Sequence, residues 1–255
     1  MQTIKTSLIC LFLVLTVNNL TAQDRPFTMT VNAGVNASDM HIKSLDTNLK
    51  INYNFSATVE YNLPKNFFLQ TGLEFSGKGA KIQDDKSGVI MGEELSEYGD
   101  FPGIDPDAAY YHAIETKGKI TTQHLTLPLM AGYRLVFSDG VRMNFSLGPY
   151  FAYGVGGKTK MDHFFAYRKV YLSDNYNELH PGSEYDSIVL ESFLAGNSFD
   201  IFKRFDMGLR GNVGVEYQRF LFNVGYEYGL TNQYKDNTYS SRNMNLFATL
   251  GFRIF

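Results

Sequence analysis

Histidine is the first side chain to consider for catalysis, because its ring exchanges protons near neutral pH. Among the five histidines, only His124 falls inside a predicted strand, with Thr122 and Thr126 on the same face. A hydroxyl beside a histidine could serve a nucleophilic enzyme, for example one that modifies lipids. The same pattern fits a structural polar residue, which is far commoner, and we therefore expect neither enzyme activity nor a cofactor.

Carboxylates are concentrated in one segment, residues 84–118, which is also predicted to be a long loop. The acids are Asp84, Asp85, Glu93, Glu94, Glu97, Asp100, Asp105, Asp107 and Glu115. Clustered carboxylates could bind calcium, but the spacing of an EF-hand is absent. A solvated acidic surface loop is the favoured interpretation, and its aromatic residues leave room for a binding partner.

Strands are the elements that position these residues. In residues 51–75, apolar side chains alternate with polar ones on both sides of a break at Pro64, which predicts two antiparallel strands. The same alternation recurs along the chain and predicts eight strands, at 27–36, 51–61, 67–83, 119–137, 141–160, 203–217, 220–231 and 244–255. Short connections alternate with the long segments 37–50, 84–118, 161–202 and 232–243. An even number of strands with turns at one end and long loops at the other predicts an outer-membrane β-barrel.

The polar face of the strands identifies the inside of the barrel. A soluble barrel would expose Lys, Glu and Gln, whereas this face is rich in Gly, Asn, Ser and Thr and has no lysine at a strand centre. Small residues suit the narrow lumen of eight strands. The face also carries four acids and four arginines, namely Glu60, Glu74, Arg134, Arg142, Arg210, Glu216, Glu227 and Arg253. An arginine turned toward lipid costs ~2–4 kcal/mol at mid-depth, so we expect a plugged lumen lined by these eight charges.

Turn chemistry predicts the register of two hairpins. Pairing Tyr217 with Phe220 places Arg210 opposite Glu227, and Glu74 projects inward from its own strand. Pairing Phe137 with Val141 leaves Gly140 in a three-residue turn. Pro128 would then face Tyr150, where it predicts a bulge or bend rather than a docking site.

The N-terminus and the overall composition narrow the cellular location. Lys5 precedes an apolar run from Leu8 to Val17, which predicts a signal peptide over residues 1–22 and a single barrel domain over 23–255. The single cysteine, Cys10, lies in that run, so the mature chain would contain none. A net charge of −3 in 255 residues gives no basic field for nucleic acid.

Five segments, in this order, resemble an outer-membrane β-barrel family often labelled PorT-like or "porin family". They are TGLEFSGKGAKI, LTLPLMAGYRL, SLGPYFAYG, FDMGLRGNVGVEY and FNVGYEYGLTN. The resemblance covers nearly the whole mature chain and implies an outer-membrane barrel but little about activity. One member of that family is linked to secretion of proteases, yet no residue here carries that role over.

We therefore predict an all-β, eight-stranded, antiparallel, up-and-down transmembrane barrel with long extracellular loops, located in the outer membrane. The expected role is structural or surface interaction without enzyme activity. Its expected partners are outer-membrane lipids and, at the extracellular loops, proteins or ligands. Two alternatives stay open: a component of transport or secretion across the outer membrane, and a lipid-modifying enzyme centred on His124.

Overall fold

The computed structural model describes residues 26–42, 46–96, 103–138, 140–170, 187–236 and 240–255. Eleven strands are β1 Phe27–Ile42, β2 Thr47–Asn48, β3 Lys50–Asn62, β4 Phe67–Lys78, β5 Lys81–Met91, β6 Ala109–Ser138, β7 Val141–Lys169, β8 Ser187–Asn197, β9 Phe205–Tyr217, β10 Phe220–Gly229 and β11 Ser241–Arg253. A single short α-helix, α1, spans Gly92–Leu95 within these ranges, and 3₁₀ turns occupy Pro64–Asn66 and Ser198–Asp200. The predicted signal peptide lies outside the described residues. Within the same ranges, no helix has the length and apolarity needed to cross a membrane.

Eight of the strands close into a ring. The antiparallel order is β4-β3-β1-β11-β10-β9-β7-β6, and β6 pairs back onto β4. The predicted eight-stranded barrel is therefore confirmed.

The alternation predicted from the sequence sets the two faces of the ring. Large apolar side chains of the odd-numbered positions in β4, β7 and β9 are exposed on the outer wall, among them Leu73, Leu147 and Val213. Polar residues of the other parity, such as Asn54, Ser76 and Thr126, are buried inside. The exposed aromatic residues near the short turns form a band on the outer wall, and they are Tyr61, Phe67, Phe137, Tyr217, Phe220 and Phe252. This is the arrangement of a barrel whose outer wall faces lipid.

Of the two hairpins whose register was predicted, β9–β10 is paired as predicted and β6–β7 differs at its turn. Tyr217 pairs with Phe220 across a two-residue turn, with Gln218 at φ 55°. In the turn between β6 and β7, Gly140 has φ 95° and so adopts the left-handed conformation. The predicted pair Phe137–Val141 is wrong, because Ser138 faces Val141 and a bulge lies between Val136 and Ser138.

Pro128 interrupts hydrogen bonding without shifting the register. It faces Tyr150 as predicted, and the ladder to β4 breaks off between Thr71–Leu129 and Glu74–Thr126. Of the two predicted outcomes, a bulge or a bend, the bulge is absent at this point, because the register is the same on both sides of the break. The Thr71 hydroxyl donates to the Pro128 carbonyl at 2.9 Å and covers part of the interruption.

Three of the predicted long loops contain strands, which corrects the sequence analysis: β2 lies in 37–50, most of β5 in 84–118 and β8 in 161–202. β5 pairs with β6 over Lys81–Met91 and Ala109–Lys119, and β7 pairs with β8 over Lys158–Tyr167 and Ser187–Asn197. β6 and β7 pair with each other up to Tyr110 and Lys169. Together β5, β6, β7 and β8 form a sheet that continues past the ring, and we call it the projecting sheet.

Candidate functional site

The lumen holds two tiers of charged side chains, and the tier near the short turns contains five of the predicted residues. Arg134 contacts Glu60 through Nη2 at 2.6 Å, and Arg253 contacts Glu216 through Nη2 at 2.7 Å. Arg253 also lies 3.8 Å from Glu60, which joins the two pairs. Arg142 reaches Glu216 at 3.5 Å from a more exposed position. Opposite charges thus alternate across this end of the lumen.

Neutral donors and acceptors complete this tier. The Arg134 Nε and Nη1 atoms donate to Asn144 and Asn62, each at 2.9 Å. The guanidinium also lies over the Phe68 ring, 5.1 Å from its centroid. A cation held by two amides, a carboxylate and a ring is compensated on every side, which makes its burial tolerable.

The deeper tier contains the other three predicted residues and one that the sequence analysis missed. Arg210 binds Glu74 through Nη2 and lies 3.2 Å from Glu227 through Nε. Lys78 reaches the other oxygen of Glu227 at 2.8 Å and is fully buried. Arg210 therefore faces Glu227 as its register requires, while its closest partner is Glu74.

Asp206 is the second lumen charge that sequence reasoning missed. Its carboxylate accepts hydrogen bonds from Tyr150, Thr231, Gln233 and Asn243, at 2.7 to 3.2 Å. Strand parity could have identified both residues, because Asp206 has the parity of Arg210 and Lys78 has that of Glu74. One added acid and one added base leave the lumen charges balanced.

Aromatic and apolar side chains fill the remaining space. Phe68 and Tyr150 are buried in the lumen, and a Cβ on Gly132 or Gly208 would collide with their rings. This explains why small residues recur on the inner face. Between the two tiers a cavity of about 30 Å³ remains, lined by residues including Glu74 and Arg210. That volume holds about two water molecules.

An apolar cluster lies beyond the deeper tier, where the projecting sheet leaves the ring. Its buried members are Met40, Ile42, Ala80, Ile82, Ile120, Met161 and Phe202. The Phe202 ring packs on Tyr234 at 5.0 Å between centroids. This cluster, which we call the apolar lid, separates the charged lumen from the extracellular side.

His124 lies in the lumen beneath this lid, which bears on the catalytic alternative. Its ring is 1% exposed and packs edge-on against Phe199 at 5.9 Å. Thr122 and Thr126 are equally buried, and no hydrogen bond joins either hydroxyl to the ring. The three predicted side chains do share a face, yet they do not form a nucleophile and base pair.

The projecting sheet has an apolar core of its own. Leu95 of α1 packs on Tyr110, Phe165 and Tyr167, and Leu95 has no exposed surface. Three acids of the predicted acidic loop form ion pairs in this sheet. Lys86 pairs with Asp84 at 2.8 Å, Lys117 pairs with Glu115, and Lys169 pairs with Asp105 at 3.0 Å.

Hydrogen bonds from Lys169 and from the Asp107 backbone lower the pKa of the Asp105 carboxyl. No group of three or more His, Cys, Asp or Glu side chains in the described part of the chain could hold a metal ion. Glu97 and Asp100 of the acidic segment lie outside the described residues.

The fold resembles solved bacterial barrels at low sequence identity. Ail, the attachment invasion locus protein of Yersinia pestis, is 11% identical with a TM-score of 0.36, over 90% of this chain and 99% of Ail. Neisserial surface protein A is 12% identical with a TM-score of 0.35, over 89% of this chain and 97% of that protein. The N-terminal β-barrel domain of Pseudomonas aeruginosa OprF is 9% identical with a TM-score of 0.27, over 90% and 100%.

Sequence comparison assigns the family. Among curated proteins, no sequence matches the chain significantly. The profile of the family described as "Outer membrane protein beta-barrel domain" matches residues 21–235, which include most of the barrel. The chain is an outer-membrane β-barrel protein and belongs to this family.

Proposed function

We propose that this protein is a non-enzymatic anchor that presents a folded sheet outside the cell for contact with a partner. The observation that carries the proposal is the projecting sheet, in which β6 and β7 continue past the ring and gain β5 and β8 as neighbours. Its buried core around Leu95 and Tyr110 makes it an ordered surface rather than a set of loose connections. Ordered extracellular surfaces on a rigid scaffold are typical binding elements.

The filling of the lumen supports anchoring over conduction. Two tiers of ion pairs, the rings of Phe68 and Tyr150, and the apolar lid follow one another along the axis. A ring of eight strands has room for its own side chains and little else. Transport or secretion through this lumen would require both tiers to separate. The finer resemblance to the PorT-like group stays a prediction.

The position of His124 supports a protein without lipid-modifying activity. A lipid substrate would have to reach a ring that is covered by Phe199 and enclosed by the barrel wall. A general base must come within hydrogen-bond reach of the proton that it removes. The exposed side chains on the outer wall at this level include Leu125 and Tyr153, whereas the His124 ring lies on the inner side of the wall.

Conductance recording in planar bilayers tests the closed lumen. The full protein should give no steady current steps, and a large-pore porin recorded under the same conditions is the positive control. Regular current steps that scale with the amount of inserted protein would favour the transport alternative.

Site-directed crosslinking on intact cells tests the role of the projecting sheet. A photoreactive probe attached to Ser87→Cys should give a discrete heavier species, because Ser87 is exposed on β5. The matched variant Ser138→Cys places the probe at a short turn and should not give that species. Identical adduct patterns for both positions, or none at Ser87, would contradict a surface-binding role for the sheet.

A further inference from the structure

Lysine side chains form a row across three strands on the outer wall. Lys81 of β5 faces Lys119 of β6, which in turn faces Lys160 of β7. Lys158 stands two residues closer to the membrane, opposite Thr121. We call these four residues the lysine ladder.

All four lysines of the ladder are exposed. Within the described residues, Lys81, Lys119 and Lys158 make no ion pair, whereas Lys160 lies 3.6 Å from the exposed Asp162.

The ladder is unfavourable for the isolated protein. Like charges that face each other directly across neighbouring strands destabilise a sheet. The apolar lid residues Ile82 and Ile120 occupy the opposite face, so the lysines cannot turn inward to reach the lumen carboxylates. Apart from Asp162 beside Lys160, no described carboxylate pairs with the ladder, so further compensation has to come from lipid, solvent ions or another molecule.

The height of the ladder indicates where that charge is. The exposed apolar side chains end at Leu125 on β6 and at Val155 on β7. Lys119 and Lys158 follow six and three residues later, which is about 8 to 15 Å along the barrel axis for tilted strands. Lysine stems can extend back along the wall by several ångströms. The ammonium groups thus reach the level of the headgroups that surround the barrel.

We propose that the lysine ladder binds the phosphate groups of anionic lipids in the outer leaflet beside β5, β6 and β7. Phosphate is the anion that membranes present at this depth, and lysine is a compact point charge that binds it without fixed geometry. The lipid phosphates would relieve the repulsion within the ladder and hold the base of the projecting sheet at the membrane surface. This lipid site is independent of any partner bound by the distal part of the sheet.

Binding to lipids that differ only in the phosphate tests the site. The full protein is placed in phosphatidylcholine nanodiscs that contain a small fraction of phosphatidic acid or, in the matched sample, diacylglycerol. Native mass spectrometry counts the retained lipids. The variant Lys81→Gln/Lys119→Gln/Lys160→Gln should lose phosphatidic acid affinity by roughly fivefold per lysine, on the order of a hundredfold in total. Added salt should reduce the affinity of the unsubstituted protein toward that of the variant.

A charge-matched variant separates the ladder from net charge. Lys65→Gln/Lys86→Gln/Lys169→Gln removes the same charge at a short turn and in the distal sheet, and it should keep the original affinity. Equal losses in both triple variants would overturn the assignment. Equal retention of phosphatidic acid and diacylglycerol by the unsubstituted protein would do the same.

Unfolding in urea is an independent test, because the effect of the ladder substitutions on stability should have opposite signs in two kinds of membrane. In phosphatidylcholine vesicles the ladder variant should unfold at higher urea than the unsubstituted protein, because repulsion is removed. In vesicles with phosphatidic acid it should unfold at lower urea, because the lipid contacts are lost. The same order in both membranes would exclude lipid phosphate as the counter-charge. Equal stabilisation by free inorganic phosphate would assign the ladder to a soluble anion and overturn the lipid site.

Discussion

At the scale of single residues, strand parity predicts which side chains meet but not which of them bond. The sequence placed Arg210 across from Glu227, and the structure shows that pairing. It could not show that Arg210 turns its Nη2 to Glu74 while Lys78 takes the second oxygen of Glu227. The backbone register determines the side of the barrel wall on which a side chain lies and its cross-strand neighbour. Its rotamer depends on partners from strands that are distant in sequence.

The deeper tier gives a prediction about coupling. Arg210→Met should destabilise the barrel by roughly 3–5 kcal/mol, because Glu74 is left buried without a cation. Adding Glu74→Gln should recover more of the loss than adding Glu227→Gln, because Glu227 keeps Lys78 at 2.8 Å. The measurement is unfolding in urea from lipid vesicles for the single and double variants. Equal recovery by both second substitutions would show that Lys78 does not compensate Glu227.

An exposed ion pair provides the control for this cycle. Lys169 and Asp105 lie 3.0 Å apart in the projecting sheet, with about half of the Asp105 side chain accessible to water. Water and salt screen exposed ion pairs, so Lys169→Met with Asp105→Asn should show little coupling. A coupling as large as that of the deeper tier would mean that burial does not set the strength of these pairs.

His112 gives the projecting sheet a dependence on pH. Burial lowers the pKa of the ring below the usual 6.5, although a hydrogen bond to the Gly88 carbonyl opposes this. The unfolded sheet therefore binds more protons than the folded one as pH falls below about 6.5. Stability is fully present above that pH and is lost as the solution is acidified.

Hydrogen exchange checks this expectation. After correction for intrinsic rates, protection of the β5 amides and of the β6 amides on the extracellular side of Lys119 should fall on acidification through pH 6.5. His112→Gln should remove the effect, while the exposed His41→Gln should leave it in place. Protection that stays constant with pH in the unsubstituted protein would contradict the role of His112.

At the scale of elements, sequence patterns located the ring but missed the projecting sheet. The alternation test needs one buried and one exposed face, as β9 and β10 have. In β6, the consecutive residues Tyr110, Tyr111, His112 and Ala113 are all buried, because packing covers both faces. A strand covered on both sides loses its period of two, and these residues therefore resembled a loop.

Excising part of the projecting sheet should leave the ring intact. Gln83 faces Lys117, so replacing residues 84–116 with Asn-Gly closes the hairpin with a two-residue turn. The variant should keep the heat-dependent gel mobility of a folded barrel, because the ring pairs and both charged tiers lie below the cut. Loss of that mobility would show that the ring depends on the projecting sheet.

The same variant should loosen what remains of the sheet. Phe165 and Tyr167 lose Leu95 and Tyr110 as neighbours. The amides of β7 after Lys160 should therefore exchange faster than in the unsubstituted protein, whereas those near Phe145 should not change. Unchanged exchange beyond Lys160 would mean that β7 and β8 are stable as a hairpin alone.

At the scale of the whole molecule, the sequence predicted the barrel and the direction of its faces because lipid imposes simple rules. Every backbone group must be paired, and every charge in the spanning region must turn inward. Arg134 and Arg253 meet the second rule by crossing the lumen to Glu60 and Glu216. The lid and the projecting sheet obey no such rule, because they fold in water through contacts between distant segments.

The orientation of the barrel is the last prediction, and the cysteine content makes it simple to measure. Cys10 is the single cysteine in the sequence and lies within the predicted signal peptide, so an introduced cysteine would be the one thiol of the mature chain. Ser87 on the projecting sheet and Ser138 at a short turn are both exposed, yet they lie at opposite ends of the barrel. A membrane-impermeant maleimide added to intact cells should label Ser87→Cys, and it should label Ser138→Cys after the outer membrane is opened. Labelling in the reverse order would place the short turns outside the cell, and the lysine ladder would then face the inner leaflet.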